Sequence, residues 1–236
     1  MAPRNLINLE NVSLDFGKGK VLDTISLGVL EGSRIGIVGR NGGGKSTLLK
    51  VLGGQNKVDS GRVSVSNGVQ IGTLSQIDNF GTFKKVSDFL FHGDDENAWV
   101  RNSGNREIVA ELLGGEEFLE RDISPLSGGE KRRISLAKLL IDKPEVLLLD
   151  EPTNHLDVEA IAWLAKHLKK LNDVALVVVT HDRWFLDEVC EEMWEVVHGQ
   201  VENYEGGYSA FVLAKAERER QNNIETSKRN NLIKKE

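Results

Sequence analysis

The sequence predicts an α/β fold with a mostly parallel core sheet, an antiparallel β unit ahead of it and a helical segment inserted within it. Three apolar runs carry that prediction: RIGIV (34–38), VLLL (146–149) and ALVVV (175–179). Each is short, nearly continuous and rich in β-branched residues or leucine, as strands buried on both faces of a parallel sheet are. Each is followed by a polar cluster and then a helical pattern, over Ser46–Leu52, Val158–Leu171 and Arg183–Glu192. Strand, loop and helix in repetition is the α/β pattern.

The flanking segments read differently. Alternation through NLINLENVSLDF and again through TISLGVL, with FGKGK between them, predicts two antiparallel strands joined by a turn. GRVSVSNGVQIGTLSQ (61–76) predicts a hairpin turning at Asn67-Gly68. Residues 77–126 carry short helical stretches such as REIVAELLG among acidic residues, and helix resumes over Glu130–Ile141. The inserted helical part therefore extends from about 77 to 141 within a domain of residues 1–206. After Gly207 the composition shifts to charged and amide residues. Residues 215–236 hold seven Lys or Arg against four Asp or Glu, a net +3 on a chain of net charge −6. Such a helix has little apolar face to bury, and residues 207–236 read as the beginning of a charged connector that stops partway.

Bulk composition bounds the rest. A chain of 236 residues, 39% hydrophobic and 28% charged, has a globular composition. No apolar run approaches a membrane-spanning length, and MAPRNLINLEN lacks a signal peptide's apolar core, so the expected compartment is the cytoplasm. Cys190 is the only cysteine, which excludes an internal disulfide, and it reads as a small buried residue. The negative charge argues against nucleic-acid binding by the body as a whole.

Four clusters carry chemistry. GRNGGGKST (39–47) follows a buried strand, precedes a helix and fits G-x-x-x-x-G-K-[ST], the Walker A pattern. Glycines keep side chains away so that backbone N–H groups from Asn41 through Thr47 can face one concavity, with the helix start adding positive charge. Gly39, Asn41, Gly42, Gly43, Gly44, Lys45, Ser46 and Thr47 are thus candidate nucleotide-binding residues. Lys45 is placed for the β- and γ-phosphates and Ser46 for Mg²⁺. VLLLDEP ends a buried strand on two carboxylates: Asp150 is the candidate metal ligand, and Glu151 the candidate general base for an attacking water. ALVVVTHD places His181 at the carboxyl end of the third strand, where open α/β sheets bind ligands. LSGGEKRRISLAKLL (126–140) sets Ser127, Gly128 and Gly129 before a helix, a second anion-binding helix start.

With Gln76 in TLSQ and NHLD ending at Asp157, these motifs resemble, in sequence order, those of ATP-binding cassette (ABC) ATPases, P-loop NTPases with an inserted helical signature subdomain. The resemblance covers residues 5 to about 205. It implies ATP and Mg²⁺ as cofactors, with Gln76 joining Ser46 and Asp150 at the metal. It also implies a head-to-tail pair of cassettes, in which each ATP lies between one Walker A and the other cassette's Ser127–Gly129, and Asp157 bridges the interface. An aromatic upstream of Walker A usually stacks on adenine in this family; Phe16 is the candidate, with core packing as its other reading. DEPTNHLD, HDRWFLDEV and YEGGYSAFVLAKAERERQ resemble the ABC-F subfamily, twin-cassette ATPases without membrane spans, several of which bind the ribosome. That implies an N-terminal cassette whose second cassette lies beyond residue 236, with the basic linker meeting rRNA phosphates. The nucleotide-binding subunit of a membrane ABC transporter is the alternative, and a DNA-repair cassette a weaker third.

Overall fold

Residues 146–150 and 175–179 are buried at every position because both faces of the core sheet are covered there. The fold is seen in a computed structural model that describes residues 3–17, 19–74, 80–92 and 102–233, with side-chain surroundings through residue 221. Strands β1 (Asn5–Asp15) and β2 (Lys20–Leu30) pair antiparallel as the alternation predicts, and β4 (Ser60–Val65) adds to the far side of β1. A second sheet has the order β5-β6-β7-β3-β8-β9, from β3 (Arg34–Gly39), β5 (Ile71–Leu74), β6 (Val146–Asp150), β7 (Ala175–Val179), β8 (Glu192–Val197) and β9 (Gln200–Glu205). All its pairings are parallel except the last, β8 with β9.

The period-2 geometry of these strands divides the core in two. Val146 and Leu148 of β6 and Ala175, Val177 and Val179 of β7 point toward the antiparallel sheet and helix α1 (Lys45–Leu52). Leu147, Leu149, Leu176 and Val178 point the other way, into the helical layer. That layer is built from α2 (Val86–Leu90), α3 (Ser103–Leu113), a 3₁₀ turn (Glu116–Glu120), α4 (Gly128–Asp142), α5 (Val158–Lys169) and α6 (Arg183–Val189). Helix α7 (Tyr208–Ile233) leaves the sheet after β9, anchored by Phe211. Cys190 is buried, and burial pushes its thiol pKa up, away from reactivity.

Two expectations are corrected. The chain does turn at Ser66–Val69, where the Val69 N–H donates to the Ser66 carbonyl at 3.2 Å. The flanking strands do not pair as a hairpin, however. β4 pairs with β1 (Leu9 opposite Val63) and β5 with β6 (Ile71 opposite Val146). The Asn-Gly turn passes the chain from one sheet to the other; it dictates a reversal of direction but not a partner. The helix expected over Arg183–Glu192 ends at Val189, because Glu192 opens strand β8 opposite Ile35 of β3.

Helix α4 starts on a capping box. The Ser127 hydroxyl accepts from the Glu130 N–H at 3.3 Å, while the Glu130 carboxylate accepts from the Ser127 N–H at 2.9 Å and from its hydroxyl at 2.7 Å. These bonds from Ser127, with the Arg121 guanidinium at 2.8 Å, hold the Glu130 pKa down to about 2. A depressed carboxyl pKa adds stability above its unfolded value, and that stability is lost as pH falls from there through about 2. An NMR titration is expected to find Glu130 ionised well below the usual carboxylate range, and Ser127→Ala is expected to move its midpoint upward. In the core, Leu148→Ala should lower stability by about 2–5 kcal/mol, read from urea melts, because Leu148 is fully buried. Exposed Val158→Ala should stay within about 0.5 kcal/mol.

Candidate nucleotide site

The carboxyl edge of the parallel sheet gathers most of the candidate residues. β3 ends at Gly39, whose φ is +147° and where a Cβ would lie 2.6 Å from the Val196 carbonyl oxygen of β8. Only glycine lets the two backbones approach that closely. The loop folds on itself, with the Gly43 N–H donating to the Arg40 carbonyl at 3.0 Å. Gly44 (φ +105°) is the N-cap of α1, and no side chain caps this helix. Its first-turn amides are thus left for an anion. Lys45 is buried, and its ammonium donates to the carbonyls of Gly39 and Arg40, both at 3.1 Å. Ser46 and Thr47 follow, half-buried.

β6 delivers the carboxylates. Asp150 is buried, and its Oδ1 has no hydrogen-bond partner among the described residues. A buried carboxylate oxygen without a partner is costly, and a divalent cation would satisfy it, so the donor set of Asp150 and the Ser46 hydroxyl suits Mg²⁺. The Asp150 carbonyl accepts from Arg132 of α4, which ties the LSGGE helix to this strand end. Glu151 sits at φ +50°, a left-handed conformation that is strained for a side-chain-bearing residue. Its N–H donates to the Val179 carbonyl at 2.7 Å, which holds the turn. Glu151 Oε1 lies 3.5 Å from His181 Nε2, and Oε2 accepts from the His181 N–H at 3.4 Å. The Thr153 and Thr180 hydroxyls, 2.9 Å apart, join the two loops below them. The arrangement presents a mostly buried carboxylate beside an imidazole that is 66% exposed, which suits proton transfer from a water entering from solvent.

Phe16 lies in the β1–β2 connection, which the Asp15 carboxylate shapes by accepting from the N–H groups of Gly17 (2.6 Å) and Gly19 (3.2 Å). It is 60% exposed, which rules out core packing. A cleft of about 910 Å³ runs from Phe16 past Val21 to Asn41, Gly42 and Gly43. Its opposite wall was not foreseen in the sequence: Glu195 and Val196 of β8, Glu202 and Tyr204 of β9, and Lys215 and Arg218 of α7. Burial, together with the neighbouring Glu202, pushes the Tyr204 hydroxyl up to about 12, so it remains a donor.

The remaining candidates lie elsewhere. Ser127, Gly128 and Gly129 do not line this cleft; Gly129 faces His155, where a Cβ would lie 3.1 Å from the histidine Cβ. The Asp157 carboxylate caps α5, accepting from the Ala160 N–H at 2.8 Å. Gln76 falls outside the described residues.

The ABC transporter family model matches residues 22–154. The "Uncharacterized ABC transporter ATP-binding protein YfmR" of Bacillus subtilis is 32% identical, over 98% of this chain and 42% of its own length. The "Energy-dependent translational throttle protein EttA" of Mycobacterium tuberculosis is 34% identical, over 90% of this chain and 44% of its own. The chain thus spans less than half the length of these relatives. Among solved structures, a dimeric post-hydrolysis state of the ATP-binding cassette MJ0796 with ADP and Pi superposes at a TM-score of 0.72 and 25% identity, over 85% of this chain and 98% of that one. Among the described residues no helix is long and apolar enough to cross a membrane. The chain belongs to the ABC transporter family, and its fold is that of an ABC ATPase cassette.

Proposed function

We propose that this chain is the N-terminal cassette (residues 1–206) of an ABC-F ATPase, with residues 207–236 starting the linker to a second cassette. The observation that carries the catalytic part is the strained turn that sets Glu151 against His181 beside the partnerless Oδ1 of Asp150. In this reading the amides from Asn41 to Thr47 and the Lys45 ammonium hold the β- and γ-phosphates, and Phe16 stacks on the base. Ser46 and Asp150, with Gln76, hold Mg²⁺, which would neutralise charge developing on the phosphate oxygens. Glu151 accepts the proton of the attacking water, and His181 orients that water and the γ-phosphate.

Ser127–Gly129 would act on the ATP of the opposing cassette, with Asp157 at the interface. Support comes from the dimeric ATP-binding cassette MJ0796. An isolated cassette is then a weak ATPase, because its site lacks the opposing helix start. The name of EttA, a translational throttle, together with the net +3 of residues 215–236, supports a cytoplasmic protein acting on the ribosome, its linker meeting rRNA electrostatically. The name of YfmR supports the second reading, a transporter's ATP-binding subunit. Sedimentation of the full-length gene product with ribosomes, using Glu151→Gln and ATP to hold the closed form, separates the two. Co-sedimentation is expected, and its absence would count against the ribosomal reading.

For catalysis, Lys45→Ala is expected to remove nucleotide binding in a calorimetric titration. Glu151→Gln should bind ATP normally yet hydrolyse it at least ~100-fold more slowly. Normal turnover by Glu151→Gln would exclude the general-base role.

A further inference from the structure

The wall of the cleft opposite Phe16 has a charge problem that helix α7 solves. Glu195 is one position before Val196, whose carbonyl oxygen lies 2.6 Å from the position of a Cβ on Gly39 and whose Cγ1 lies 3.6 Å from that on Gly44. In register Glu195 stands opposite Val38, immediately before the phosphate loop. Its side chain is 7% exposed, and it lines the same cleft as Asn41, Gly42 and Gly43. Glu202 of β9, directly across from Glu195, lines the same cleft. Two carboxylates here would repel any triphosphate.

The strands do not neutralise them. Lys20, which also lines the cleft, is held by Asp23 at 2.6 Å. The neutralising groups come from α7. The Lys215 ammonium pairs with Glu195, and Arg218 pairs with Glu202 at 2.5 Å. Arg218 also lies over the Tyr204 ring, 4.6 Å from its centroid. Tyr204 shares its hydroxyl proton between Glu202 (2.8 Å) and Glu195 (3.4 Å), completing the cluster.

We propose that the first turns of α7 are an integral wall of the nucleotide cleft: Lys215 and Arg218 neutralise Glu195 and Glu202 so that ATP is admitted, and bound ATP in turn holds α7 on the β8–β9 hairpin. The two effects are one coupling free energy seen from its two ends. An α7 displaced from the hairpin leaves Glu195 and Glu202 uncompensated, and the cleft then disfavours polyanions. A nucleotide in the cleft adds a surface for α7 and raises the cost of that displacement. The inference rests on the assignment of this cleft to ATP. It makes the direction of the helix that leaves the cassette dependent on nucleotide.

The test uses the 236-residue chain and a slowly hydrolysed Mg-ATP analogue, titrated calorimetrically. Lys215→Gln/Arg218→Gln is expected to weaken binding about tenfold. Adding Glu195→Gln/Glu202→Gln to that variant should restore affinity to within about twofold, because the repelling charges are gone. A destabilised fold would not be rescued in this way. In the parent chain, amide hydrogen exchange over residues 208–221 should slow when nucleotide is added. Unchanged affinity in the double variant, a loss that the glutamate changes do not restore, or exchange indifferent to nucleotide would each overturn the proposal. Phe16→Ala and Lys45→Ala separate the levels. If both bind normally, the assignment of the cleft to ATP fails. If both lose affinity while the α7 variant does not, the cleft assignment stands and only the role of α7 is overturned.

Discussion

Parallel register is the constraint on which the rest depends. Ile37 of β3 and Asp150 of β6 both stand opposite Val179 of β7, so the three central strands end at one level. Glu151, one residue on, and Gly39 and His181, two residues on, therefore lie at a common edge although they are far apart in sequence. An antiparallel strand in this position would send its loop to the opposite edge. The completely buried β6 and β7 fix that register, because a one-residue slip would exchange the two core faces they separate. Hydrophobic patterning thus sets the separation between Glu151, His181 and the loop of residues 39–47 before any polar contact forms.

The same logic explains what was legible in the sequence. RIGIV, VLLL and ALVVV announce themselves because strands covered on both faces admit only apolar residues. The polar residues that follow are equally plain, since nothing else explains Gly-Gly-Gly-Lys or Asp-Glu at such an edge. β8 was hidden because EMWEVV carries two carboxylates, which imitate the exposed end of the preceding helix. Glu195 is nevertheless buried, and its partner Lys215 lies 20 residues on, in a stretch whose composition resembles a solvated connector. A pairing between a strand and a charged helix leaves no period to detect. The Asn-Gly turn failed differently: a local turn signal was correct, while the partners were decided by two sheets competing for the strands.

The ionic cluster around Glu195 changes how the C-terminal helix should be viewed. Among its charged groups only Glu195 is buried, Lys215 being 38% exposed and the Arg218–Glu202 pair about half exposed, so it is removal of Lys215 that would leave a charge uncompensated. Such a contact favours a docked or a clearly undocked helix over intermediate positions. Phe211 against Tyr204, with ring centroids 5.0 Å apart, supplies the apolar anchor that keeps the docked state within reach. Beyond Arg218, exposed Gln221 bonds locally to Glu217 at 3.1 Å.

The two glycine-preceded helix starts are also physically unequal. Helix α1 begins at a glycine with no side-chain cap and no acidic residue in its first turn, so its amides and positive end are free for an anion. Helix α4 begins inside a capping box: Ser127 satisfies the Glu130 amide, and a carboxylate sits on the first turn. That carboxylate opposes the helix's positive end, and the Ser127 hydroxyl must leave Glu130 before it can turn to a phosphate. In a head-to-tail pair the first start would therefore capture nucleotide alone. The second, with Glu130 already on its first turn, would engage an anion less readily than the first.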